Sequence, residues 1–204
     1  MIKTLIFDFG DVFINLNKAS TLKEMQKLRI TSFTEEMLQI NMQYETGQTN
    51  TETFIDSYLE LFPNLSVEQL SAAWNSIILD FPEYRLEFIE ELSKSKKYQL
   101  ILLSNTNDLH IEKVIENMGL DRYERFQKCF AAFYLSQEIH FRKPNTDIFD
   151  FVLNTHQLNP KECLFIDDTK ENTDTAKELG IHTWNINPEI EDIIHLFSIQ
   201  KELF

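Results

Sequence analysis

Basic residues are missing from a long stretch of this chain. From Thr31 to Tyr84 there is no lysine, arginine or histidine, while acids recur from Glu35 to Glu83. The whole chain leans the same way, with 33 Asp and Glu against 19 Lys and Arg and a net charge of −14. A nucleic-acid surface needs a basic footprint, and anionic lipid repels this charge, so neither partner is expected. Long apolar runs are also absent. None approaches the roughly 20 residues of a membrane span. The first run, Leu5–Phe7, is too short for a signal peptide and meets an acid at once. Cysteine is scarce too. Cys129 and Cys163 sit in apolar runs that read as strands, and neither has metal-ligand spacing. Buried free thiols in a cytoplasmic protein are the expectation, with a monomer or weak dimer as the assembly.

Glycine is the fourth shortage. Only Gly10, Gly47, Gly119 and Gly180 occur, where average usage would give about fourteen. Gly119 in ENMGL and Gly180 in KELGI read as helix C-terminal glycines.

Five short apolar runs read as buried parallel strands: 4–7, 99–103, 128–133, 162–166 and 182–186. Helical periodicity lies between the later runs, over about 84–95, 108–118, 146–157 and 170–179. This alternation predicts an α/β fold with a Rossmann-like, doubly wound parallel sheet. Residues 15–83 break it. TLKEMQKL, TEEMLQINMQY, TETFIDSYLELF and SVEQLSAAWNSIIL each repeat apolar residues at helical spacing, with starts near Thr34, Thr51 and Ser66. The expected division is a core of 1–14 plus 84–204 and an all-helical cap domain of 15–83. An insert there lies above the C-terminal edge of the sheet, where such folds bind ligands. Its acidic field should disfavour substrates carrying extra negative charge.

Polar groups gather at the predicted strand ends. Asp8 ends the first run, Ser104 the second, and Asp167 with Asp168 the fourth. Lys143 sits in HFRKPN, with Pro144 at a predicted helix start. Parallel strands bring such ends to one crevice. Converging carboxylates are costly without a cation, and oxygen ligands of this kind suit Mg²⁺. A hydroxyl and an ammonium beside them suit a phosphoryl group. Each residue also has a plain role: turn and helix caps for Asp8, Ser104, Asn105 and the Asp pair, and a surface position for Lys143.

IFDFGDVF, LILLSNTN, RKPNTDIF and LFIDDTKENTDTAKELGIHT together resemble the four motifs of haloacid dehalogenase superfamily hydrolases. QYETGQTNTETF resembles a cap segment of the same superfamily, with Gly47 in a loop that approaches the active site. Within it the chain is similar to the sugar-phosphatase-like group, which includes α-D-glucose-1-phosphate phosphatase-like members. The resemblance implies a Mg²⁺-dependent phosphatase acting on a small phosphate ester such as a sugar monophosphate. Asp8 would be the nucleophile and form an aspartyl-phosphate. Mg²⁺ would be held by Asp8, Asp168 and the Gly10 carbonyl, with Asp167 helping directly or through water. Ser104, Asn105 and Lys143 would hold the phosphoryl group.

One departure bears on turnover. Most phosphatases of this superfamily carry a second Asp two residues after the nucleophile, as general acid; here that residue is Gly10. General acid catalysis is worth about 10²–10⁴-fold. Asp11 and His140 are the candidates to replace it, against simpler roles in the turn and on the surface. A chain binding Mg²⁺ and phosphate with little or no turnover is the alternative. A dehalogenase is disfavoured by the Asp167–Asp168 pair. A Schiff-base phosphonate hydrolase is disfavoured by the absence of lysine from 31 to 93, which leaves Lys18, Lys23 and Lys27 as formal options.

Overall fold

The computed structural model describes residues 1–204. Five parallel strands form the sheet: β1 (Thr4–Phe7), β2 (Gln99–Ser104), β3 (Ala132–Leu135), β4 (Cys163–Asp167) and β5 (His182–Asn185), in the order β3-β2-β1-β4-β5. Their side chains alternate between two apolar layers. Leu5, Phe7, Leu100, Leu102, Leu164 and Ile166 enter one cluster; Ile6, Ile101, Leu103, Cys163 and Phe165 enter another. Both faces are therefore dry, which is why these strands read as unbroken apolar runs.

Four of the five helices ahead of β2 fall within the segment 15–83: α1 (Ser20–Lys27), α2 (Glu35–Glu45), α3 (Thr51–Leu61) and α4 (Val67–Asn75). The starts of α2, α3 and α4 are chemically marked. The Thr34 side chain accepts from Met37 N–H, Asn50 accepts from Thr53 N–H, and Ser66 forms a capping box with Gln69. Asn50, rather than the neighbouring Thr51, is the cap of α3. A third apolar cluster joins these helices through Met25, Met37, Tyr44, Phe54, Tyr58 and Trp74.

The remaining helices are α5 (Glu83–Ser95), α6 (Asp108–Met118), α7 (Leu120–Gln127), α8 (Ser136–Ile139), α9 (Thr146–Thr155), α10 (Lys170–Glu178) and α11 (Leu196–Ile199). α5, α6 and α7 pack on the first layer; α9 and α10 pack on the second. Two predicted boundaries need correction. The run 128–133 is not a strand throughout: α7 reaches Gln127, a turn follows, and β3 starts at Ala132, so Cys129 is buried in a turn and only Cys163 lies on a strand. Leu120, Tyr123 and Phe126 carry the helical spacing that extends this segment. Pro144 lies ahead of α9, whose N-cap is Asn145.

The chain passes between sheet and insert through two segments that pair with each other. Asn15 N–H donates to Asp80 O at 2.9 Å, Leu79 N–H to Asn15 O at 3.1 Å, and Asn17 N–H to Ile77 O at 2.8 Å. Buried Arg85 pins this ribbon, donating to Phe13 O and Asn15 Oδ1 while pairing with Asp192. Below it, Phe9 and Phe13 pack on Phe81 and Phe126. The turn after β1 is thus clamped from beneath by aromatic burial, each ring worth about 1.5–3 kcal/mol.

Candidate active site

Strand order decides where the side chains meet. β1 lies between β2 and β4: the chain runs from β1 to β2 and β3 on one side and crosses back from β3 to β4 on the other, so a crevice opens at the C-terminal end of β1. Asp8 follows β1, Ser104 ends β2 and Asp167 ends β4. The crevice, about 360 Å³, is lined by Asp8, Gly10, Lys18, Asn105, Lys143 and Asp168 among others.

Lys143 is the hub. Its side chain is 1% exposed, and Nζ donates to Asp8 Oδ1 and Asp167 Oδ2, each at 2.7 Å. Burial works against this charge, but Asp167 and Asp8 outweigh it and hold the ammonium above the usual lysine range. Asn105 fixes the backbone that carries it: Nδ2 donates to Lys143 O at 2.8 Å and Oδ1 accepts from Lys143 N–H at 2.9 Å. One Asn105 Nδ2–H and its Oδ1 are thus engaged by Lys143, while the Asn105 backbone N–H has no partner within the protein.

Asp8, Asp167 and Asp168 bring carboxylate oxygens within 4.8 Å of one another. Burial pushes the Asp8 carboxyl up to about 7; Lys143 pulls it down and Asp167 adds to the rise. Burial also raises Asp168, against the pull of Lys18. Asp167 is committed on both oxygens, with Oδ1 accepting from Thr169 N–H and Oδ2 from Lys143 and Asn172. Hard oxygen donors at this spacing fit a divalent cation such as Mg²⁺, and the excess negative charge favours one. The Gly10 carbonyl and N–H are also free of hydrogen bonds within the protein.

Neither candidate acid lines the crevice itself, although Asp11 borders it. Asp11 has φ 54° and accepts from Leu16 N–H through Oδ1 at 2.9 Å, which is the turn-stabilising role. His140 is exposed, with φ 61°, and its Nδ1 lies 2.9 Å from Thr46 O. There it joins α8 to the insert and does not line the crevice. Gly47 belongs to the same junction: at φ +63° its Cα faces Gln137 O so closely that a Cβ would lie 2.0 Å from that oxygen. Ser104 is buried, its hydroxyl 3.5 Å from Asn105 O, in a smaller adjoining cavity of about 150 Å³.

The match to the haloacid dehalogenase-like hydrolases spans residues 2–180. The chain belongs to that family. It is 27% identical over 190 residues to the D-ribitol-5-phosphate phosphatase of Bacteroides thetaiotaomicron, covering 90% of this chain and 91% of that protein. A solved structure of a haloacid dehalogenase family enzyme from the same bacterium, in complex with magnesium, is 36% identical with a TM-score of 0.85, covering 96% of this chain and 98% of that one. Its Asp12Ala mutant, complexed with magnesium and inorganic phosphate, gives 35% and 0.84, covering 97% of this chain and 99% of that one.

Two cations of the crevice, Lys18 and Arg142, lay outside the expected site. Lys18 reaches in from the segment before α1 and pairs with Asp168 and, at 3.2 Å, with Asp11. Arg142 precedes Lys143 and pairs with Glu45 of α2 at 3.1 Å. Arg142 was within reach, as part of RKPN. Lys18 had no local signal, because its partner is 150 positions away in the chain.

Proposed function

We propose that this protein is a Mg²⁺-dependent phosphomonoester hydrolase acting on a small phosphorylated metabolite of the sugar or polyol monophosphate class, through an aspartyl-phosphate on Asp8. The observation that carries it is the buried Lys143 bridge between Asp8 and Asp167 beside a third carboxylate. Such a cluster is costly as structure alone and suits a site that takes a dianionic phosphoryl group. The family membership and the named activity of the ribitol-phosphate relative support the same reading.

Mg²⁺ would be held by Asp8, Asp168 and the Gly10 carbonyl, with Asp167 acting through water because its own oxygens are taken. When bound it supplies positive charge at the phosphoryl oxygens. Asp8 attacks phosphorus as its Lys143 partner offsets the gathering negative charge. The Ser104 hydroxyl and the Asn105 backbone N–H bind phosphoryl oxygens. Water then breaks the Asp8–phosphorus bond. Residues 15–83 form the cap over a core of 1–14 and 84–204, with Leu16, Glu45, Ile77 and Ile78 walling the adjoining cavity.

Gly10 favours one other reading, binding of Mg²⁺ and phosphate with little or no turnover. Hydrolysis of an aryl phosphate and a panel of sugar and polyol phosphates, with and without Mg²⁺, separates the two. Mg²⁺-dependent release of phosphate that disappears in Asp8→Asn is the expected result. Phosphate binding without release in the wild type would establish the other.

A further inference from the structure

With glycine at position 10, that position offers no side chain to the departing oxygen. The crevice contains a group outside the motif pattern that fits this place. Lys18 carries an ammonium that pairs with Asp168 and Asp11. It differs from Lys143 in freedom: its side chain is 54% exposed, against 1%. Arg142, the remaining cation of the crevice, is tied to Glu45. A solvated four-carbon stem lets Lys18 move its charge at little cost.

We propose that Lys18 has two stations: on Asp168 while the metal is absent, and on the leaving-group oxygen of the bound ester once a metal holds Asp168. This rests on the phosphatase reading above. Two cations cannot share one carboxylate oxygen without repulsion, so Mg²⁺ at Asp168 displaces the ammonium. Asp11 retains it in the crevice, because Oδ1 is locked by Leu16 N–H and Oδ2 is left for Lys18. As the bond from Asp8 to phosphorus forms, the phosphorus–oxygen bond of the ester breaks and its electron pair goes to the departing oxygen. The ammonium stabilises that charge by donating a hydrogen bond and keeps its protons. Water supplies the proton that completes the alcohol. Asp11 is then a positioning residue, acting through Lys18.

Lys18→Met tests both stations. Calorimetry with Mg²⁺ alone reads the first: removing the competing ammonium should tighten binding by roughly two- to fivefold. Unchanged or weaker Mg²⁺ binding would overturn it. Rates on dinitrophenyl phosphate and glycerol phosphate read the second, since a nitrophenolate leaves without help and an alkoxide does not. The loss on glycerol phosphate should exceed that on dinitrophenyl phosphate by about 10²-fold. Equal losses on the two esters would overturn it. Asp11→Asn retains the acceptor for Leu16 N–H and should show the same ester-dependent pattern at smaller amplitude; a loss independent of the ester would remove its positioning role. If the wild type hydrolyses neither ester and none of the sugar and polyol phosphates, the phosphatase reading fails, and the Mg²⁺ titration still decides the first station.

Discussion

A side chain at position 10 has no room while Leu16 stays where it is. A Cβ on Gly10 would lie 2.7 Å from Leu16 Cδ1 and 4.0 Å from Asp8 Oδ2. The first contact is with the end of a flexible side chain, so Gly10→Asp with Leu16→Ala should accommodate the acid, whereas Gly10→Asp alone should lose stability. If proton donation limits turnover, the double variant gains up to about 10²-fold in kcat/KM on glycerol phosphate; no gain would show that another step limits. Lys143 supports a second prediction. Lys143→Met leaves Asp8 and Asp167 facing each other without the ammonium, and about 3–5 kcal/mol of stability should be lost. Adding Asp8→Asn should restore part of it, read from urea unfolding. Asp8, Lys143, Asp167 and Asp168 were legible in the sequence because strand ends and motif order place them. The Gly10–Leu16 contact and the reach of Lys18 were not, since each depends on how the chain folds back after β1, and no periodicity encodes that.

At the level of elements, the helices of residues 15–83 meet those flanking the sheet through a polar joint between α4 and α6. Trp74 Nε1 donates to Asn107 Oδ1 at 3.3 Å, the Trp74 ring stacks on His110 at 5.4 Å, and His110 Nε2 lies 3.3 Å from Trp74 O. Burial pushes the His110 imidazole down to about 4, partly offset by the Trp74 carbonyl. A histidine depressed in the folded state contributes stability above its unfolded pKa, and that contribution is lost as pH falls through the folded one. Stability should therefore decline between about pH 6.5 and 4, by on the order of 1–3 kcal/mol from this residue. His110→Gln should flatten that part of the profile; an unchanged slope would assign the acid sensitivity elsewhere. The elements themselves were largely readable. Strands dry on both faces appear as apolar runs, and α2, α3 and α4 announce their caps. The error at 128–133 arose where a helix ends in a buried turn directly before a strand, so that one apolar run serves two structures. The joint at His110 was invisible, because α4 and α6 belong to separate periodic segments.

For the molecule as a whole, the charge distribution bears on which substrates enter. The insert closes on the rest of the chain at three neighbouring points: Glu45 with Arg142, Thr46 O with His140, and Gly47 against Gln137 O. Those contacts hold a surface without a single basic residue between Thr31 and Tyr84 close to the crevice. Inside, Lys143 is matched to two acids, Arg142 to one and Lys18 to two. One phosphoryl group finds local compensation there. A second one, displaced toward Glu45, meets no basic side chain from the stretch between Thr31 and Tyr84. Sugar bisphosphates and nucleoside triphosphates should accordingly turn over more slowly than monophosphates of similar size. The effect is long-range, so it should shrink with salt, as the screening length falls from about 10 Å at 0.1 M to about 3 Å at 1 M. Competition assays at the two ionic strengths check both parts. Faster turnover of a bisphosphate than of any monophosphate would refute the argument from charge, and a preference unmoved by salt would place the discrimination in the shape of the cavity instead.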